Sequence, residues 1–170
     1  MAGPRKPRSS GRHVTAAPFP IRPAQLADVA RIHAIERDAF GDPWSPRDFR
    51  DCLEGGLPIF VVEIDGSVAG YVVGMSGADE GEILNVSVAL EWRRRGLGRA
   101  LIQAMLTELA ARGARTAYLE VRESNRSARA LYADLGFHDV GRRKGYYREP
   151  TEDAVVLKRR LAPVGGPAVE

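Results

Sequence analysis

The densest positive charge in the chain, Arg93-Arg94-Arg95, runs directly into Gly96-Leu97-Gly98, and Arg99 follows as a helical pattern begins. That order of residue types suits an anion. The first turn of a helix leaves backbone N–H groups without partners and carries the positive end of the helix dipole. Glycines let phosphate oxygens come close to the main chain, and guanidinium forks match phosphate geometry. The plain alternative is a solvated basic turn that holds nothing. What is missing narrows the choice of anion. A P-loop needs a lysine and a hydroxyl after its second glycine, and neither is present. A dinucleotide fingerprint needs its first glycine immediately after a strand and a third glycine beyond. Here Glu91 to Arg95 intervene, and Leu101 stands in the third place.

Such a site needs a strand before it and a helix after it, and the patterning supplies both. Gly81 to Leu90 carries Ile83, Leu84, Val86 and Val88 and reads as a strand. From Leu97 to Ala111, Leu97, Leu101, Ile102, Met105, Leu106 and Leu109 recur at helical spacing, and Arg112-Gly113 ends the run. Upstream, Ile21-Arg22 predicts a short strand and Pro23 to Phe40 a helix with Leu26, Val29, Ile32 and Ile35 near one apolar stripe. Gly41-Asp42-Pro43 stops it, and Ser45-Pro46 caps a second helix to about Leu53. Pro58 to Ile64 and Val68 to Met75 form a hairpin turning at Asp65-Gly66. Downstream, Thr116 to Val121 is a strand, and Ser124 or Asn125 caps a helix to about Leu135. Phe137 opens a strand reaching Tyr147, and Thr151 to Leu161 is the last strand. The order predicts one α/β domain over residues 21–162, a mixed sheet flanked by about four helices.

Composition excludes several classes. Apolar residues make 44% and charged residues 28%, the balance of a soluble globular domain. No run nears the ~18 apolar residues of a membrane span. Cys52 is the sole cysteine, and His13, His33 and His138 are scattered, so neither a disulfide nor a metal site is expected. Arg5, Lys6, Arg8 and Arg12 lie in an opening stretch without Asp or Glu; the remaining 21 basic residues face 22 acidic ones. The net charge of +3 therefore belongs to a leader, residues 1–20, rich in Pro, Gly, Ser and Arg and expected to be disordered. Residues 163–170 are expected to be a loose tail. Val14 to Ile21 is short and broken by Pro18 and Pro20, so no signal peptide is read and a cytoplasmic location is expected. The leader is a solvated tail or a weak, salt-sensitive attachment to RNA or a ribosome.

Taken together, Arg93-x-x-Gly96-x-Gly98, the preceding "ILNVSVAL" and the following "LEVRESNRSARALYADLGF" resemble the GNAT acetyltransferases over roughly Ile21 to Leu161. With "GRRKGYY" and "EDAVVL", they are similar to its RimI branch, bacterial enzymes that acetylate the N-terminal alanine of a small-subunit ribosomal protein. The resemblance implies a GNAT fold and acetyl-coenzyme A as co-substrate. The diphosphate would lie on the backbone of Arg94, Arg95, Gly96, Leu97, Gly98 and Arg99, with Arg93 beside it. The pantetheine arm would follow Val86-Ser87-Val88 and touch Asn125. Glu120 would accept a proton and Tyr132 donate one. The loops at Phe40–Ser45 and Gly141–Glu149 would border a peptide cleft, with Trp44, Tyr146 and Tyr147 as walls and Glu82 or Asp42 attracting a positive chain terminus.

The chemistry is consistent with those residue types. An amine attacks a thioester only when neutral. A terminal amine has a pKa near ~7.8 and a lysine near ~10.4, so a terminal amine needs only a modest base such as a glutamate. A tyrosine, pKa near ~10, can protonate a departing thiolate. Backbone N–H groups of the 86–88 strand could face a developing oxyanion. Each residue also has a plain role: Glu120, opposite Leu119 and Val121 in a strand, could pair with Arg122 or a helix; Tyr132 could be core; Asn125 could be only a cap. Lysine or small-molecule acetylation, an RNA-associated binding module and a nicotinamide enzyme are the competing functions.

Overall fold

The computed structural model describes residues 19–164. The leader and tail expected over 1–20 and 163–170 lie, apart from Phe19, Pro20, Pro163 and Val164, outside those residues. Seven strands and four α-helices follow in the order β1 (Ile21–Pro23), α1 (Val29–Ala39), α2 (Pro46–Glu54), β2 (Ile59–Ile64), β3 (Ser67–Gly77), β4 (Glu80–Val88), α3 (Leu97–Ala111), β5 (Thr116–Arg122), α4 (Arg126–Asp134), β6 (His138–Tyr147) and β7 (Glu152–Arg160). They form one mixed sheet in the order β1-β2-β3-β4-β5-β7-β6. Only β4 and β5 run parallel.

Local chemistry sets several of the ends. Ser45 caps α2 in a reciprocal pair with Asp48, and Pro46 fills the first helical position. The β2–β3 hairpin turns at Asp65 (φ 51°) and Gly66 (φ 75°), the two left-handed residues of a type I′ turn. Asn125, rather than Ser124, caps α4, its side chain accepting from the Ala128 N–H at 3.1 Å. Two boundaries differ from the sequence expectation. Pro23 to Gln25 stays extended, and the first helix begins as a 3-10 turn at Leu26–Asp28 where Asp28 accepts from the Gln25 N–H. Leu26, expected on the apolar stripe, is consequently 59% exposed. Likewise β4 ends at Val88, and Leu90–Trp92 forms a second 3-10 turn that carries the chain toward the arginines.

Helices cover the sheet on both faces. On one face α3 and α4 bury Leu97, Leu101, Ile102, Met105, Leu109, Tyr132 and Leu135 against Val62, Val72, Ile83, Ala117, Leu119, Val121 and Val155. Phe19 packs against this cluster as well, so the fold starts two residues before the expected boundary. On the other face α1 and α2 bury Val29, Ile32, Ile35 and Phe49 against Ile59, Val61, Val68, Tyr71 and Val73. The second cover reaches only β2 to β4, which leaves that face of β5 open beside it. The strict alternation of β5 follows: Ala117, Leu119 and Val121 are buried under α3 and α4, while Tyr118, Glu120 and Arg122 point the other way.

Because α3 is buried along this core, truncating Leu101, fully buried, should be costly: Leu101→Ala is expected to lower unfolding free energy by about 3 kcal/mol. Urea denaturation followed by circular dichroism checks this; a loss below about 1 kcal/mol would show that α3 is not seated on the sheet.

Candidate active site

The site begins where two strands part. β4 and β5 are paired only from Glu80–Ile83 to Thr116–Leu119. The β3–β4 register then shifts: Val73 faces Asn85 while Gly74 faces Ile83, leaving Leu84 as the extra residue of a bulge. Beyond it β4 follows β3 to Val88, and β5 follows β7 to Arg122. Val86, Ser87 and Val88 thus lie along an edge that no strand of β5 covers. On one side this gap meets α3 and α4, and on the other a cleft lined from β3 to β7.

The anion-binding features gather on the first side. Arg94 (φ 64°) and Gly96 (φ 88°) are both left-handed, and this turn delivers the chain into α3 with Gly96 as its cap. The Ala100 N–H is the first to bond within the helix, to the Gly96 carbonyl at 3.1 Å, and no side chain caps the helix. The N–H groups of Leu97, Gly98 and Arg99 are therefore presented together at the positive end of a fifteen-residue helix. A side chain on Gly98 would touch Val88 on β4 and Leu131 on α4, each at 3.9 Å, so the helix start faces the gap. Three of the four arginines have their own contacts: Arg93 bonds the Val88 carbonyl at 2.9 Å, Arg95 stacks over Trp92, and Arg99 pairs with Asp134 at 3.1 Å. Arg94 extends exposed from the turn. Ser87 is buried in β4, and Asn125 uses its side-chain oxygen for the helix cap, leaving the amide nitrogen for a ligand.

Glu120 and Glu82 line the other side with Tyr146 and Tyr147 nearby, whereas Tyr132 stays in the core under α4. A cleft of about 440 Å³ is lined by Met75, Glu82, Tyr118, Glu120, Arg143 and Val156, with Glu80 at its end. Glu120 does not pair with Arg122; Arg143 on β6 donates to it at 2.6 Å and also lies 4.3 Å from the Tyr146 ring centre. Glu82 is held above the usual carboxylate range, first by burial and then by the like charge of Glu120. Tyr132 is buried in α4 with its ring edge-on to Phe137, and burial, then Tyr147, push its hydroxyl up to about 12. Burial, then Glu120, push Tyr147 up to about 12 as well. Tyr147 therefore lies within electrostatic reach of both Glu120 and Tyr132.

Arg122 has a different task from the pairing anticipated for it. It donates to the carbonyls of Pro150 at 2.9 Å and Glu149 at 3.3 Å, pairs with Glu152, and lies under Tyr147 at 4.4 Å. It thereby fixes the β6–β7 turn. Trp44 packs on Phe49 with ring centres 5.5 Å apart, against the α1–α2 core rather than in the lined cleft. Met75 and Arg143 belong to the cleft but escaped the sequence reading. Arg143 sits in a strand exposed along nearly its whole length, where one basic residue looks like the next. Glu36 escaped too, although a carboxylate one residue after Ile35 on an apolar stripe was a usable signal.

Comparison with known proteins agrees with this geometry. The sequence pattern of the Acetyltransferase (GNAT) family matches residues 29–137. The chain is 34% identical over 139 residues to the [ribosomal protein bS18]-alanine N-acetyltransferase of Escherichia coli (strain K12), covering 81% of this chain and 94% of that one. It is also 34% identical over 157 residues to an N-alpha-acetyltransferase of Saccharolobus solfataricus, covering 84% and 93%. Among solved structures, the ribosomal-protein-S18-alanine N-acetyltransferase from Escherichia coli superposes with a TM-score of 0.78 at 31% identity, covering 89% of this chain and 98% of that one. A bulged β4 that parts from β5, a glycine turn presenting bare helix N–H groups to the gap, and a match through α1 to Phe137 together place this chain in the GNAT acetyltransferase family.

Proposed function

We propose that this enzyme transfers the acetyl group of acetyl-coenzyme A to the α-amino group of proteins that begin with alanine, a small-subunit ribosomal protein foremost, in the cytoplasm. The observation that carries the reading is the position of Glu120: at the parting of β4 and β5, in an acid-lined cleft, across the gap from the anion-binding turn. The identity to the bS18-alanine enzyme over four-fifths of the chain supports the same substrate class. The basic leader, outside the described residues, would add a weak attraction to RNA near such a substrate.

Acetyl-coenzyme A is the co-substrate: it brings the acetyl thioester and leaves as the free thiol. The bare N–H groups of Leu97, Gly98 and Arg99, with Arg93, Arg94, Arg95 and Arg99 around them, fit its diphosphate. Val86, Ser87, Val88 and Asn125 border the path of its arm. Glu82 and Glu120 draw a protonated chain terminus into the cleft, with Tyr146 and Tyr147 as walls. Trp44 holds the facing loop, and Asp42 stands on it. Glu120 takes the proton from the ammonium, directly or through a water. The neutral nitrogen then forms its bond to the acetyl carbon as the carbon–sulfur bond breaks, and Tyr132 gives its proton to the sulfur; the second proton shed by the nitrogen as it becomes the amide returns to the Tyr132 phenolate through water, and Glu120 releases its own to solvent. A hydroxyl pushed up to about 12 is protonated at neutral pH, so Tyr132 has a proton to give.

A peptide beginning with alanine and containing an internal lysine, incubated with enzyme and acetyl-coenzyme A, should gain one acetyl group on the α-amine by fragment mass spectrometry. Label confined to the lysine would defeat the reading. Glu120→Gln should lower kcat about a hundredfold or more while calorimetric affinity for acetyl-coenzyme A changes little; an undiminished rate removes Glu120 from the mechanism. The sign of the Tyr132 shift gives a pH expectation. Its neutral form is the donor, so turnover should not decline between about pH 7 and about pH 10, the range where an unshifted tyrosine begins to lose its proton. A descending limb there that disappears in Tyr132→Phe would show an ordinary, unshifted hydroxyl.

A further inference from the structure

Glu36, on α1, is 1% exposed, yet it has no lysine or arginine partner among the described residues. A carboxylate buried that deeply is costly unless donors saturate it. Its donors come from three elements. The Tyr71 hydroxyl on β3 donates to it, the Asn85 amide on β4 reaches both its oxygens at 3.0 Å, and the backbone N–H of Trp44 donates at 3.0 Å. Burial and the charge of Glu36 hold the Tyr71 hydroxyl protonated, so it remains a donor. Asn85 is the residue that borders the β4 bulge.

The Trp44 contact is the unusual one. Residues 41–44 connect α1 to α2, and no other hydrogen bond in the described structure reaches their backbone. The same loop meets the β6–β7 turn. A side-chain carbon on Gly41 would stand 2.8 Å from the Glu149 carbonyl oxygen, so only glycine lets the two segments touch. That carbonyl is also the one held by Arg122. The contact between the two segments is therefore held from both ends, by Glu36 through Trp44 and by Arg122 through Glu149, with Gly41 at the junction.

We propose that Glu36 is a positioning residue for the peptide acceptor: it fixes the 40–45 loop, and through Gly41 that loop's contact with the β6–β7 turn, relative to the bulge in β4. It touches neither substrate nor co-substrate. The inference rests on the functional reading above, which places the peptide between these two loops. Replacing the carboxylate by an amide keeps its volume but turns one acceptor into a donor facing other donors.

The test compares wild type, Glu36→Gln and Gly41→Ala in steady-state kinetics with an alanine-starting peptide. Both variants should raise the peptide KM about tenfold or more, with KM for acetyl-coenzyme A and kcat changed little. Hydrogen exchange without any substrate should show the Trp44 amide losing protection in Glu36→Gln while the β3 amides keep theirs. An unchanged peptide KM, or an equal loss in the affinity for both substrates, overturns the proposal. If Glu36→Gln does not fold, Gly41→Ala on the exposed loop decides through its peptide KM. If wild type does not acetylate the peptide at all, the functional reading fails by itself, and exchange at Trp44 still decides whether Glu36 holds the loop.

Discussion

A parallel strand pair that stops short organises this molecule. In a continuous sheet, the backbone groups of Leu84 to Val88 would bond β5, and Glu120 would sit against a neighbouring strand. The bulge at Leu84 turns β4 out of that ladder while β3 still holds it, and β7 keeps β5 in line. Unpaired strand edges are liabilities unless something covers or uses them. Here the edge lies inside the fold, walled by α3 and α4, where an extended ligand arm can take the place of the missing strand. The cores on either face hold the two halves apart. Neither helix pair bridges the gap on the cleft side, because α1 and α2 cover only β2 to β4.

The gap also separates two electrostatic environments. One mouth has bare N–H groups, a helix dipole and four arginines, and it favours phosphate. The other has Glu80, Glu82 and Glu120 against the single guanidinium of Arg143, and it favours a cation. Reactants of opposite charge would thus be drawn to opposite faces of one sheet, as the proposed reaction requires. The side chains at the meeting point are held by their neighbours. Arg143 is clamped between Glu120 and Tyr146, and Tyr132 is packed on Phe137. Positions set by such contacts require no reordering when a substrate arrives.

What could be read from sequence was what is local. The Gly96 turn, the Asp65-Gly66 hairpin and the alternation that frees Glu120 are each specified within a few residues, and the structure has them where patterning put them; of the two caps offered for α4, Ser124 and Asn125, it uses the second. Resemblance supplied the roles of Glu120 and Tyr132; patterning could only say that one points away from the core and the other into it. The start of the first helix was misplaced because Asp28 and Gln25 cap it, a competition that an apolar stripe does not reveal. Arg143, Met75, Asn85 and Glu36 come from four strands or helices distant in sequence. Their roles exist only after pairing brings β6 beside β7 and seats α1 on β3. No spacing rule encodes that, although Glu36 left a trace as a charge on an apolar face.

The acid lining bears on which amine can react. Carboxylates that attract an ammonium also hold its proton on, so the cleft raises the pKa of whatever amine it binds. Arg143 beside Glu120 offsets part of that field, which leaves the cleft attractive to a cation but not overwhelmingly so. The remaining cost depends on the amine. A terminal amine starts near ~7.8 and a lysine near ~10.4, and the difference makes the neutral lysine about 3.5 kcal/mol dearer at a given pH. A glutamate lacks the basicity to recover that difference. On the proposed reading, a chain terminus is therefore the easier acceptor for a glutamate base, because the difference lies in the amines themselves.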